Sequence, residues 1–222
     1  MRTRWTLTPA EARGRQLMLR DRVIVQDQHG PLRTVAGVDV AFGPDDEALA
    51  AISVASYPDL ELLEERTALS QTPFPYVPGL FSFRELPPLL EAWSQLEATP
   101  DVVICDGHGL AHPRRFGLAS HLGVHLDVPT IGCAKTVLCG EFQDLGPERG
   151  ARAPLVFQGA VVGMALRTRE GVKPVFVSVG HRVSLETACE VVLACARRRI
   201  TDPIRWADQL SKRTRGPGDP PV

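Results

Sequence analysis

Two aspartates stand where apolar sequence gives out. Asp39 interrupts the run TVAGVDVAF (34–42), and Asp106 directly follows Val102-Val103-Ile104-Cys105. An ionised carboxylate in such a setting is costly without a partner, and strand ends in α/β sheets are where a rigid frame holds chemistry-bearing loops. If the two runs are neighbouring strands, both acids project toward one point, and two hard oxygen donors at one point suit Mg²⁺. The same residues allow a local reading, with Asp39 bonded to a nearby amide and Asp106 capping the turn at Gly107.

Glu85 has two readings as well. In SFRE (82–85) it completes a capping box with Ser82 as N-cap, yet a helix starting beside the strand ends could aim the same carboxylate at the same ion. A zinc site built from Asp106, His108 and His112 is disfavoured, because Gly107, Gly109 and Pro113 break the helix that would present the two histidines. PYVP (75–78) reads locally as a proline-fixed loop with a packed tyrosine.

The elements that must position these residues follow from the pattern. TPAEARGRQLML opens as a helix with Thr8 as N-cap, Pro9 at the first position and Glu11 closing a capping box, and is expected to run to about Val25. TVAGVDVAF, ALAAISVASY and LELLEERTALSQTPF predict three antiparallel strands, with GPDDE as a turn. A helix over SFRELPPLLEAWSQLE, a buried strand over DVVICDG, a helix over GLASHLGVHLD and a strand over PTIGCAKT come next. GAVVGMAL and KPVFVSVG form a late strand pair, SLETACEVVLACARRR a helix, and DPIRWADQLSK a shorter one capped by Asp202. A tail from about 213 is expected to fray. The expected class is α/β: a ribonuclease H-like mixed sheet, three antiparallel strands followed by parallel ones, flanked by helices.

Composition narrows the function classes. With 44% hydrophobic and 23% charged residues in 222, the chain reads as one ordinary domain spanning 1–222. A net charge of −1 means that any nucleic-acid binding uses a local patch. The five cysteines show no CxxC spacing and read as small buried hydrophobes. The N-terminus lacks the apolar core of a signal peptide, and no window resembles a membrane span, so a cytoplasmic location is expected.

GVDVAF, PYVPGLFSFRE, DGHGLAHPRRFGLASHLGV and PTIGCAKT occur in that order, and together they closely resemble the endonuclease V family, over about 34–140 and more weakly to about 210. The resemblance implies a ribonuclease H-like fold. It implies a Mg²⁺-dependent enzyme, with Mn²⁺ a substitute, that recognises deoxyinosine in DNA and nicks the second phosphodiester bond 3′ of the lesion. Asp39, Glu85 and Asp106 would be metal ligands, with Asp208 in RWAD completing the site; the local reading of Asp208 is an ion pair with Lys212. Lys135 would lie near the scissile phosphate and His112 beside the site. Pro75, Tyr76, Val77, Pro78 and Gly79 would form a nucleic-acid-contacting loop, Tyr76 being the wedge that fills the gap of an extruded base. Gly79, Gly107 and Gly117 would let the backbone approach that base, with main-chain help from Phe81 and Leu118. Arg114 and Arg115 would hold phosphates, against a local reading as a solvated loop pair. The enzyme is expected to be a monomer. Two alternatives remain open: an endoribonuclease for inosine in RNA, and a nucleic-acid-binding module without catalysis.

Overall fold

The structure, a computed structural model, describes residues 5–72 and 74–213. The tail expected to fray lies, beyond its first residue, outside the described residues. Helix α1 (Pro9–Leu19) has the expected capping box of Thr8 and Glu11. It stops before Val25, tightening into a 3₁₀ turn over Arg20–Arg22. Strands β1 (Thr34–Phe42), β2 (Glu47–Ser56) and β3 (Leu62–Gln71) form the antiparallel meander.

Helix α2 (Ser82–Trp93) leads to β4 (Val102–Cys105), which pairs parallel with β1. Helix α3 (Leu118–Leu126) crosses to β5 (Thr130–Ala134), parallel to β4. Beyond it come β6 (Arg152–Phe157), β7 (Ala160–Leu166) and β8 (Val175–His181), all antiparallel, then α4 (Leu185–Ala194) and α5 (Asp202–Arg213). One mixed sheet results, in the order β3-β2-β1-β4-β5-β8-β7-β6. Strand β6 was not expected from sequence. It ends the sheet, and Pro154 within RAPLVF is tolerated because an edge strand need not donate every ladder hydrogen bond.

Each sheet face carries its own core. Val35, Val102, Ile104 and Ile131 meet Cys189, Val192 and Ile204 of α4 and α5 on one side. Ala36, Val38, Val103 and Cys105 meet Leu86 and Leu89 of α2 and Leu118 and Leu122 of α3 on the other. Strand β4 is buried throughout, which is why it reads as an unbroken apolar run. A small satellite of Ala12, Phe74, Leu80 and Phe83, with Trp5 and Val77 against it, seats the loop between β3 and α2. Among the described residues no helix is long and apolar enough to cross a membrane.

Candidate active site

The parallel register of β1 and β4 aligns Val38 with Cys105, so Asp39 and Asp106 come next, side by side. Helix α5 rides close over this point because Gly37 permits it: a Cβ there would lie 2.1 Å from the Pro203 carbonyl carbon. The Ser53 hydroxyl, donating to the Pro203 carbonyl at 2.7 Å, pins the helix start. Thus placed, Ser211 donates to Asp39 Oδ2 at 2.9 Å. Burial pushes the Asp39 carboxyl above its ordinary pKa against that hydrogen bond, with the charges of Asp106 and Asp208 adding to the rise.

Glu85 is not part of a capping box. The N-cap of α2 is Phe81, with no side-chain cap, and the Ser82 hydroxyl pairs instead with His121 Nδ1 at 3.0 Å. Glu85 is 5% exposed, and its Oε2 is buried without a hydrogen-bond partner. Burial drives its pKa well above the usual range, and the charges of Asp39 and Asp106 push the same way. A buried carboxylate oxygen left unsatisfied is expensive, so this one is either protonated or waiting for a cation.

Lys135 supplies one positive charge already, its ammonium hydrogen-bonded to Asp106 Oδ2. Burial alone would lower the lysine pKa, but that hydrogen bond and the charges of Asp106, Asp39 and Asp208 carry it above its ordinary value. The main chain at Lys135 is fixed by Arg199, whose guanidinium donates to the Lys135 and Pro174 carbonyls at 2.7 and 2.9 Å. Asp208 makes the ion pair of the local reading, Lys212 Nζ lying 2.7 and 2.9 Å from its two oxygens, and its charge also reaches Asp39. Among the described residues no three His, Cys, Asp or Glu side chains stand arranged to hold a metal ion. The available donors are all hard oxygens, one of them unpartnered, and that set fits Mg²⁺ or Mn²⁺ better than a softer metal.

Beside the acids opens a cavity of about 250 Å³, with Glu85 and Asp106 in its wall together with Tyr76, Val77, Pro78, Gly79, Phe81, Gly107, His112, Gly117 and Leu118. It is smaller than the roughly 300–1,000 Å³ of drug-sized sites and suits one flat heterocycle. Its lip is the turn Val77–Leu80, closed by Leu80 N–H to the Val77 carbonyl at 2.9 Å, with Pro78 and then Gly79 at φ +77° in the central positions. That is the proline–glycine order of a type II turn. Pro75 is exposed, and Tyr76 stands 69% exposed, touching only the edge of Phe81 with ring centroids 5.8 Å apart. It is not a packed tyrosine.

His112, Arg114 and Arg115 of DGHGLAHPRR (106–115) bond within the protein. His112 Nε2 lies 3.0 Å from the Gly79 carbonyl, and its Nδ1 accepts the Arg114 N–H at 3.1 Å, which assigns the proton to Nε2. Burial, aided by Arg114, lowers the His112 pKa to about 4, so the ring is neutral near pH 7 with both nitrogens engaged. Arg114 is no solvated loop residue: its guanidinium donates to the Gly79 carbonyl at 2.6 Å and to Gln16 Oε1. Arg115 donates to the Phe157 carbonyl at 2.8 Å and lies over that ring. Both guanidinium groups make hydrogen bonds within the protein.

Main-chain availability differs among the three glycines. The Gly79 carbonyl is taken, and the Gly107 and Gly117 N–H groups bond the Cys105 and Gly109 carbonyls at 2.8 and 2.9 Å. The starts of α2 and α3 border the cavity without a side-chain cap, and in their first turns the Phe83, Arg84 and Ala119 N–H groups are bonded to the Leu80, Phe81 and His108 carbonyls. Sequence reasoning missed Gln16, Leu138, Arg199 and Ser211, and weighed His108 only as a zinc ligand. His108 lines the pocket with Nδ1 unpartnered and its pKa lowered by burial to about 4, and Leu138 lines it from the loop after Lys135. Only Gln16 carried a signal, lying four residues after buried Ala12 on one helix face.

With this geometry in view, the comparisons with known proteins decide the family. The endonuclease V family model matches residues 17–209. The chain belongs to the endonuclease V family. It is 54% identical over 214 residues to endonuclease V of Roseiflexus sp. strain RS-1, covering 96% of each chain. The crystal structure of Streptomyces avermitilis endonuclease V superposes with a TM-score of 0.91 at 48% identity, covering 95% of this chain and 94% of that one. Endonuclease V of Ciona intestinalis, crystallised with a 24mer DNA containing an inosine followed by a ribo-adenosine, superposes at 0.81 with 31% identity, covering 92% and 96%. Family membership makes this chain a nuclease.

Proposed function

We propose that the chain is a Mg²⁺-dependent endonuclease that recognises deoxyinosine in DNA and nicks the second phosphodiester bond 3′ of it. One observation carries the reading: a cavity sized for one base shares Glu85 and Asp106 with the acid cluster, under an exposed tyrosine. The Ciona intestinalis complexes, with inosine-containing DNA on a related chain, support it.

Asp39, Glu85 and Asp106, with Asp208 beside them, would hold the ion. When bound, Mg²⁺ supplies Lewis-acid stabilisation of the charge that builds on the phosphate. Lys135, whose ammonium neutralises Asp106 here, offsets charge on the phosphate oxygens once a cation takes over the carboxylates. Tyr76, on its proline-stiffened turn, replaces the stacking lost by the extruded nucleotide. The starts of α2 and α3 border the cavity through Phe81, Ser82, Gly117 and Leu118, and the positive end of each helix dipole favours an acceptor such as the 6-oxo group of hypoxanthine, where adenine presents an amino group. Arg114 and His112 hold the Gly79 carbonyl at the pocket's lip, and Arg115 packs on Phe157.

A second substrate, inosine in RNA, is favoured by the ribo-adenosine after the inosine in the Ciona intestinalis complexes. Incubation of a deoxyinosine duplex, a deoxyinosine single strand, an inosine-containing RNA and undamaged controls with Mg²⁺, Mn²⁺ or a chelator tests both readings. Expected is one nick two bonds 3′ of the lesion, lost with the chelator. Cleavage of undamaged strands at the same rate would overturn the assignment.

A further inference from the structure

Gln16 lies on α1 and is 1% exposed. Its amide is fully used by groups 63 to 100 residues away. Nε2 donates to the Gly79 carbonyl at 3.0 Å and to the Phe116 carbonyl at 2.9 Å, while Oε1 accepts from Arg114 Nε. Gly79 belongs to the turn that carries Tyr76, and Phe116 immediately precedes the pocket residues Gly117 and Leu118. One side chain therefore ties the two walls of the cavity together. Gly79 takes part through one carbonyl that also meets His112 and Arg114, and a Cβ there would lie 2.6 Å from the Arg114 guanidinium. A primary amide alone offers two donors and an acceptor at this reach; a leucine would take this partner from the Phe116 carbonyl and from Arg114 Nε, and would leave the Gly79 carbonyl to His112 and Arg114 alone.

We propose that Gln16 is a positioning residue for lesion recognition, clamping the Tyr76 turn to the Gly117 wall so that the pocket and its wedge are preformed before substrate arrives. The inference rests on the deoxyinosine reading above for its catalytic consequence, but the clamp itself is visible without substrate. Gln16 itself lines the cavity, and its amide reaches the two walls through the Gly79 and Phe116 carbonyls. Preorganisation of this kind is read in binding rather than in the chemical step.

The test compares wild type, Gln16→Leu, the near-isosteric Gln16→Glu, Tyr76→Ala and the Gln16→Leu/Tyr76→Ala double variant. In the free protein, amide exchange at Leu80 should quicken about tenfold in Gln16→Leu, while Leu89 in α2 keeps its rate. On a deoxyinosine duplex with Mg²⁺, both Gln16 variants should raise KM about tenfold with kcat within twofold, and slow nicking of an undamaged duplex should not change. In the Tyr76→Ala background, Gln16→Leu should add little, because both act on one turn. Equal losses on damaged and undamaged duplexes, multiplicative effects in the double variant, or unchanged exchange at Leu80 would each overturn the clamp. Should Gln16→Leu fail to fold, Gln16→Glu carries the same measurements. If wild type shows no preference for deoxyinosine, the functional reading fails, and the exchange experiment still decides the clamp.

Discussion

The acid cluster and the pocket wall beside it are built on opposite principles. In the cluster, polar capacity is left unspent: Glu85 Oε2 has no partner, Asp39 is held above its ordinary pKa, and one lysine faces several carboxylates. In the wall, Gln16, His112 and Arg114 saturate one another and the Gly79 carbonyl, and the imidazole is neutral. The first arrangement costs stability and suits a cation; the second is held by hydrogen bonds within the protein. Chemistry and recognition are thereby separated within one cavity.

The sharpest way to break this comparison is to remove a charge from the cluster. Asp106→Asn should lower nicking by at least about 10²-fold while thermal stability holds or rises, since a repulsion with Glu85 and Asp39 is relieved. Nicking near the wild-type rate would take Asp106 out of the mechanism. Glu85→Gln comes next and adds a pH signature. A carboxyl whose folded pKa lies above its unfolded value stabilises the fold at low pH and loses that contribution as pH rises through the folded pKa. Metal-free protein should therefore lose stability as pH climbs above 4.5, the ordinary value for Glu85, and Glu85→Gln should flatten that slope while abolishing nicking. A steeper slope, or activity retained, would return Glu85 to a structural role.

The pocket side should respond with a smaller loss and the opposite pH sign. Tyr76→Ala should weaken binding to deoxyinosine DNA by tenfold or more, from ~1–3 kcal/mol of stacking, with melting unchanged because the ring is 69% exposed. His121, buried against Trp5, Phe83 and Phe116, has its pKa lowered by burial to about 3. As pH falls below 6.5 the unfolded chain takes up protons that the folded chain refuses, so stability drops on the acid side until about pH 3. His121→Phe should make melting less sensitive over that window; an unchanged slope would show that the ring protonates freely in the fold.

How far these two regions were legible in the sequence follows the same divide. Asp39 and Asp106 could be read because an acid against an apolar run is a conflict visible in one dimension; the parallel β1–β4 pairing that unites them skips two strands and had to be assumed. Glu85 could be half read: SFRE fits a capping box locally, but Phe81 takes the N-cap position and Ser82 turns to His121. Gln16 and the inward turn of Arg114 left almost no trace, because a glutamine on a helix and an arginine in a loop look solvated until the partners 98 residues apart are seen together. The saturated wall is built from long-range hydrogen bonds, which no spacing rule encodes.

Asp208 lies between the two principles, and the smallest expected effect decides where it belongs. Its two oxygens are shared by Lys212 on the next turn, an exposed i,i+4 pair worth ~0.2–0.5 kcal/mol. At the same time its charge is among those that raise Asp39, across the gap that Ser211 bridges. If the ion pair is its whole role, Asp208→Asn and Lys212→Met should cost the same few tenths of a kcal/mol in stability and leave nicking untouched. If it belongs with the carboxylates, the two substitutions part company: Asp208→Asn lowers nicking severalfold, whereas Lys212→Met keeps or increases it by freeing both oxygens. A ligand role predicts in addition that Asp208→His retains partial activity with a shift from Mg²⁺ toward Mn²⁺, imidazole being the softer donor. We expect the divergent pair, because a charge that reaches Asp39 is felt by the cluster whichever partner holds it at rest; matching effects in both variants, with unchanged metal preference, would assign Asp208 to the helix surface.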